Sequence, residues 1–341
     1  MIFKSWSRYF NCLLIALLIQ IVFTTELCAQ DNYKLVKARN GDGIITLLSR
    51  HGLSPKTYQD AFIKLNKDKL GKNNSLFKGK KYKLPVKNSP KAGSNSVVIP
   101  LFGSKYKNVK IEDTRLRNAI FYLVAGHGGP DPGAVGKYGN RILCEDEYAY
   151  DVTLRLARNL MQHGATVHMI TRDNNDGIRD ASYLAADKDE KCYPNKTIPI
   201  NQLRRLKQRT DAVNTLYKKN KGTKYQRVLI IHVDSRSNRE NIDVFFYHDK
   251  RSKSGKLFST NLQNTFNAKY KEHQSGRGYN GSISTRNLYV LKNTYPTATF
   301  IELGNINNSR DQLRFIKSDN RQALANWLFE GILLDFKTNK L

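Results

Sequence analysis

Between residues 119 and 338, apolar strands alternate with amphipathic helices, and this alternation constrains the fold more than any other feature of the chain. Strands are predicted over Ile120–Ala125, Ala165–Ile170, Val228–Ile231, Asp243–Tyr247, Leu288–Leu291 and Thr297–Ile301. Helices are predicted over Asp146–Gln162, Leu203–Tyr217 and Leu257–Tyr270, and from Asp311 to Phe336. In the first helix Ala149, Val152, Leu156 and Leu160 fall on one face, the spacing of a helix that buries one side. Strands that alternate with helices predict an α/β fold, a mostly parallel twisted sheet flanked by helices. Residues 174–201, with an Asp/Lys run, Cys192 and Pro194, interrupt the alternation and read as an insertion forming a surface loop.

The amino-terminal third is organised differently. Lys4 and Arg8 precede the apolar run Cys12–Ile19, Ile21, Val22 and Phe23 follow it, and Ala29 closes the segment. Residues 1–29 thus read as a secretory signal peptide, since the apolar run falls short of the roughly 20 residues that span a membrane. Bulky Leu27 suits neither the small-residue cleavage pattern nor a lipid anchor on Cys28. No second run of that length follows, so no stable membrane insertion is expected once the signal is cleaved. Residues 86–96 carry Pro, Gly and Ser without aromatic residues, which is linker composition. With the lead-in to residue 118 they separate a small module over 32–85 from a large one over 119–338. The small module reads as strand (Tyr33–Val36), a helix carrying Ile44, Leu47 and Leu48, a helix carrying Tyr58, Phe62 and Leu65, and a closing strand through Tyr82 and Leu84.

Export decides how two further features are read. Cys144 and Cys192 enter an oxidising compartment, where an even pair is either a disulfide or two free thiols. The chain holds 57 Lys and Arg against 29 Asp and Glu, a net charge of +28, and such a field concentrates polyanions. In the cytoplasm that charge would suggest nucleic acid. Outside it, the abundant polyanions are cell-wall and envelope polymers, so no nucleic-acid partner is expected. The chain is placed in the periplasm or outside the cell, associated with the wall.

The chemistry is expected at the carboxyl ends of the strands, where open α/β sheets collect ligands. The strand ending at Ala125 runs into Gly126-His127-Gly128-Gly129, and glycines at such a turn leave an imidazole open to a ligand. His232 follows Val228–Ile231, Glu302 follows Thr297–Ile301, and Glu145 sits just before the first helix. Two imidazoles and a carboxylate commonly hold catalytic zinc with one position left for water. His127, Glu145 and His232 are therefore the candidate metal ligands, and Glu302 the candidate catalytic base. Taken singly, each also suits a plainer role: His127 a capping or solvated residue, His232 a core histidine, Glu302 a charge facing a helix. His51, His163, His168, His248 and His273 lack comparable settings.

These residues resemble the zinc-dependent N-acetylmuramoyl-L-alanine amidases of the Amidase_3 type over about residues 120–336. Gly126-His127-Gly128-Gly129 with Asp131 and Gly133-Ala134 resembles the family's first signature. Glu145 fits the glutamate that opens a helix ending at a glycine, here Gly164; Glu147 would shift that register by two. Thr171-Arg172-Asp173, then Leu206, Arg209 and Asn214, then Ile231-His232-Val233-Asp234, and finally Ile301-Glu302-Leu303-Gly304-Asn305 follow in the family's order. Val124-Ala125, Ile230 and Asn305 depart from the usual Asp-Pro, Ser and Phe, and none of these removes a ligand. The resemblance implies Zn2+ as cofactor, peptidoglycan as partner, and hydrolysis of the amide joining N-acetylmuramic acid to L-alanine. It leaves open whether a protein activator is needed. A catalytically inert peptidoglycan-binding protein on the same fold is the alternative. Residues 32–85 resemble a lysin-motif (LysM) module of βααβ form, through Gly41-Asp42, Leu65-Asn66 and Gly79 with Leu84-Pro85, which implies binding of N-acetylglucosamine-containing glycans.

Overall fold

The computed structural model describes residues 33–53, 55–85, 96–236 and 241–339. The expected signal peptide and linker residues 86–95 lie outside them. The chain divides into two compact units, Met1–Gly93 and Ser94–Leu341.

In the small unit, β1 (Tyr33–Lys37) is followed by α1 (Ile44–Arg50), α2 (Pro55–Asn66) and β2 (Lys81–Pro85), and β1 pairs antiparallel with β2. Leu47, Leu48, Phe62 and Tyr82 form its buried centre. Asn66 ties helix to strand: its amide donates to the Lys83 carbonyl at 2.8 Å, and its Oδ1 accepts the Lys83 N–H at 2.8 Å. A buried amide whose donor and acceptor are both used in this way fixes one register.

The large unit begins with β3 (Ser96–Val98), α3 (Gly103–Tyr106) and β4 (Asn108–Lys110). The two strands pair antiparallel, and Phe102 and Val109 are buried in the main core, so this lead-in packs as part of the large unit. The chain continues through β5 (Ala119–Ala125), the hairpin β6 (Val135–Tyr138) and β7 (Arg141–Cys144), α4 (Glu145–Gln162), β8 (Thr166–Met169) and β9 (Thr171–Arg172). Next come β10 (Lys191–Cys192), β11 (Lys196–Thr197), α5 (Gln202–Lys219), β12 (Tyr225–Asp234), β13 (Phe245–His248) and α6 (Lys253–His273). β14 (Ile283–Thr285), α7 (Tyr289–Asn293), β15 (Thr297–Asn305), α8 (Ser309–Ile316) and α9 (Ser318–Thr338) complete it.

Six strands form the central sheet in the order β14-β13-β15-β12-β5-β8. All neighbours are parallel except β13 and β15, as the alternation predicts. Every residue of β5 is buried, as in a parallel strand covered on both faces. Phe121 and Leu123 point with Leu229 and Ile231 into the core built with α4, α6 and α9. Ile120, Tyr122 and Val124 point the other way, against Val213 and Leu216 of α5 and Val290 and Leu291 of α7. Among the described residues no helix is long and apolar enough to cross a membrane.

The structure departs from the sequence expectations in three places, and it decides between the two readings left open for the cysteines. β12 and β15 run further than predicted, so His232 and Glu302 lie within their strands, and Glu145 is the first helical residue of α4. Leu288–Leu291 is not a strand: β14 takes the outer edge beside β13, and the apolar run enters a short helix that buries Val290 and Leu291. Residues 174–201 are not simply a surface loop, because β9, β10 and β11 form a small antiparallel sheet and Ile178, Leu184, Cys192 and Ile198 are buried. Cys144 and Cys192 are both buried free thiols, which excludes the disulfide option.

Candidate metal centre

The Gly126 N–H donates to the Ile231 carbonyl at 2.7 Å, extending the β5–β12 ladder by one step. The next three residues, His127, Gly128 and Gly129, all take left-handed backbone conformations, with φ of 55°, 96° and 64°. For the histidine this costs roughly 1–2 kcal/mol, and the surroundings hold it there. The Arg209 guanidinium donates to the His127 carbonyl, and the Glu190 carboxylate accepts the Gly129 N–H at 2.5 Å.

The His127 side chain is oriented by a charged pair. Nδ1 lies 2.8 Å from Asp131 Oδ2, and the Arg205 guanidinium reaches the same oxygen. The hydrogen bond with His127 holds the Asp131 carboxyl far below the usual carboxylate range, and Arg205 adds to the effect. An ionised carboxylate can only accept, so Nδ1 carries the proton and Nε2 keeps the lone pair that a metal requires. Nε2 faces Glu145 Oε2 at 3.3 Å.

Glu145 is fixed by two backbone donors. Oε2 accepts the Ala134 N–H at 2.8 Å, and Oε1 accepts the Val233 N–H at 3.0 Å. Oε1 also meets His232 Nδ1 at 2.7 Å. Burial pushes the Glu145 carboxyl up, but the hydrogen bonds from His232 and from the Ala134 N–H outweigh it and hold the group below the usual carboxylate range. Burial moves His232 the other way, below the usual imidazole range, which keeps it neutral. Its ring stacks on Phe300 at 4.4 Å, and three of its atoms lie only 2.5–2.7 Å from where a Cβ on Gly126 would stand. A Cβ on Gly133 would likewise lie 2.6 Å from both Glu145 Oε2 and the His127 ring. Both glycines are required by this close approach.

One nitrogen from each histidine and an oxygen from Glu145 lie within 4.8 Å of one another. Neutral imidazole and carboxylate donors, pre-oriented and crowded by glycines, fit a divalent cation such as zinc. Glu147 does not share this position; its carboxylate pairs with Arg179 at 2.8 Å and accepts the Asp187 N–H at 3.0 Å. Two further carboxylate groups cluster closely, Asp146 with Glu147 and Glu190, and Asp173 with Asp176 and Asp187.

Glu302 stands opposite His232 in the parallel β12–β15 register. It is 6% exposed, and its Oε2 has no hydrogen-bond partner among the described residues. Burial, reinforced by Glu145 and Asp234, pushes its carboxyl well above the usual range, with Arg286 and Arg236 acting against that shift. His127, Glu145, His232 and Glu302 line one cavity of about 480 Å3, together with Arg205, Arg209 and Arg286. Arg209 is one of the motif residues of the sequence, though without a role of its own there, whereas Arg205 belongs to no motif. The trace they leave is an i, i+4 pair of cations on the α5 face that meets the His127 turn.

Known proteins agree with this geometry in family. The profile of Amidase_3, N-acetylmuramoyl-L-alanine amidase, matches residues 121–333, more than half of the chain. A protein named probable cell wall amidase LytH, from Staphylococcus aureus, is 25% identical over 227 residues, which cover 66% of this chain and 61% of the relative. The chain thus spans about three fifths of the length of such curated relatives. Among solved structures, the CwlD amidase of Clostridioides difficile in complex with the GerS lipoprotein is 19% identical, with a TM-score of 0.48, covering 64% of this chain and 99% of that one. The N-acetylmuramoyl-L-alanine amidase AmiC2 of Nostoc punctiforme is 19% identical with a TM-score of 0.45, covering 64% of this chain and 98% of its own. With His127, Glu145, His232 and Glu302 all inside the matched range, the chain belongs to the N-acetylmuramoyl-L-alanine amidase family, Amidase_3.

Proposed function

We propose that the chain is an exported, zinc-dependent hydrolase that cleaves the amide between N-acetylmuramic acid and L-alanine in peptidoglycan. The observation that carries this reading is the convergence of His127, Glu145 and His232 beside a buried glutamate with an oxygen that has no partner among the described residues. His127 Nε2, Glu145 and His232 would hold the zinc, which when bound supplies a Lewis acid for the amide carbonyl and acidifies a water. Asp131 and Arg205 keep the His127 lone pair aimed inward. Glu302 Oε2 has no hydrogen-bond partner among the described residues; with the cation's charge offsetting its burial, it would be ionised, take the proton of the attacking water and deliver it to the departing alanine nitrogen. The small βααβ unit would bind glycan in the manner of the LysM modules it resembles. The excess of 28 positive charges favours residence on an anionic wall.

The test is digestion of purified peptidoglycan by the zinc-loaded protein, scored as new L-alanyl amino termini. Glu302→Ala should lower the rate by about 10²–10⁴-fold while retaining one zinc per chain. A zinc-loaded wild type that binds peptidoglycan but releases no L-alanyl termini would instead establish the inert wall-binding alternative. The complete donor set favours the enzyme.

A further inference from the structure

The cavity containing Glu302 adjoins a second one. That neighbour, of about 430 Å3, shares Arg286 with it and is otherwise lined by Asp249, Lys250, Arg251 and Lys292 with the uncharged Thr285 and Asn287. Arg251 is engaged, holding Asp249 through contacts of 2.9 and 2.7 Å. Arg286, Lys250 and Lys292 form no ion pair among the described residues, and the carboxylate of this lining, Asp249, is already held by Arg251, so the space carries an excess of positive charge.

Arg286 is the best placed of the three. Its backbone N–H donates to the His248 carbonyl at 3.2 Å, anchoring it beside the β13–β14 edge. Its guanidinium lies over the Tyr247 ring, 4.9 Å from the centroid, which limits the orientations it samples. Tyr247 pairs with Phe300 across β13 and β15, two residues before Glu302 on the same strand. The guanidinium thus stands where space passes from the proton-carrying glutamate into the basic cavity. In the amidase reading, Glu302 protonates the departing alanine nitrogen, so whatever follows that alanine leaves from the Glu302 side of the site. A guanidinium presents a planar fork that fits a carboxylate, and it keeps its charge at any working pH.

We propose that Arg286, assisted by Lys292, is a specificity subsite for a free carboxylate on the peptide that follows the scissile alanine. The subsite rests on the amidase reading, and it assigns the ligand as an acidic, alanine-initiated peptide.

The test is calorimetric titration of the zinc-loaded full chain with two probes, L-alanyl-D-glutamic acid and its diamide. Wild type should bind the acid about tenfold more tightly than the diamide, the equivalent of ~1.4 kcal/mol. Arg286→Gln should bring the two affinities to within about twofold, and Lys292→Gln should narrow the gap partially, as expected for loss of a point charge beside an intact fork. Circular dichroism and zinc stoichiometry confirm that each variant is folded and loaded. Equal affinity of wild type for acid and diamide, no measurable binding of either, or discrimination that survives in Arg286→Gln would overturn the proposal. If peptidoglycan is digested but no discrimination is found, the subsite alone falls. If discrimination holds and peptidoglycan is not cleaved, the amidase reading falls and Arg286 remains a peptide-carboxylate site.

Discussion

Replacing Gly126 with alanine tests the metal centre without touching a ligand. The added Cβ would stand 2.5 Å from two atoms of the His232 ring, whereas ordinary contact begins near 3.4 Å, so the ring must retreat by about 0.9 Å. It has little room to do so, because Phe300 stacks against the imidazole at 4.4 Å and Nδ1 is held at 2.7 Å by Glu145. Metal–ligand distances tolerate only about 0.2 Å. A displacement several times larger should weaken zinc by at least as much as loss of an orienting partner does, about 10–100-fold, or roughly 1.4–2.7 kcal/mol. Gly126 has no left-handed φ, so the alanine is not penalised by the backbone itself. Gly222→Ala is the matched control, with nothing within 4 Å of its added Cβ. Zinc affinity is read by competition against a chromophoric chelator, with circular dichroism to show that the fold persists. A Gly126→Ala protein that binds zinc as tightly as Gly222→Ala would refute the assignment of His232 as a ligand.

The positioning pair and the acidic cluster behind the His127 turn give two further expectations. Asp131→Asn removes the charge that fixes His127 Nδ1 as the donor and should lower zinc affinity by about 10–100-fold; an unchanged chelator-competition curve would mean that Asp131 does not orient the ligand. Burial pushes the Glu190 carboxyl up to about 7 from an ordinary 4.5, so between those values the folded state keeps a proton that the unfolded chain releases. This contribution to stability is complete at low pH and fades as pH rises through 7, by at most about 1.4 kcal/mol per pH unit. Glu190→Gln, whose amide oxygen can still accept the Gly129 N–H, should flatten the decline in urea-unfolding stability between pH 5 and 7.5. Equal slopes in the two proteins would show that Glu190 is not the titrating group.

The sheet and the three close-set candidate ligands were legible because they depend on local signals. Apolar runs mark the strands, and Gly128 and Gly129 after His127 record a backbone that only a tight, left-handed turn requires. The Leu288–Leu291 run was misread because four apolar residues fit a strand or a helical turn equally well. What decided the outcome was Ile283–Thr285 occupying the edge beside β13, a fact of tertiary competition that no local pattern carries. Residues 174–201 were misread for the opposite reason. Their polar composition suggested solvent, yet Glu190 and Ile198 are spent on the His127 turn, where Ile198 fills the space beside Gly129. Arg209 stands out as a motif residue, but the contacts that Arg205 and Arg209 make, over separations of 74 and 82 residues, are not revealed by spacing along the chain.

The β12–β15 ladder has a consequence for which changes in length the site can survive. His232 and Glu302 are the last pair in step; immediately beyond them the register slips, so that Asp234 meets Asn305 and Gly304 takes up the extra residue at a φ of 148°. The slack in these strands lies entirely downstream of the pair. One residue added or lost between Thr297 and Glu302 would slide the glutamate about 3.3 Å along the sheet and turn it to the opposite face. The same change after Gly304 would be absorbed where the strands already disagree. The backbone hydrogen bonds between Arg227 and His232 therefore act as a ruler for the reaction, and evolution can lengthen this site only past the mark where the ruler stops.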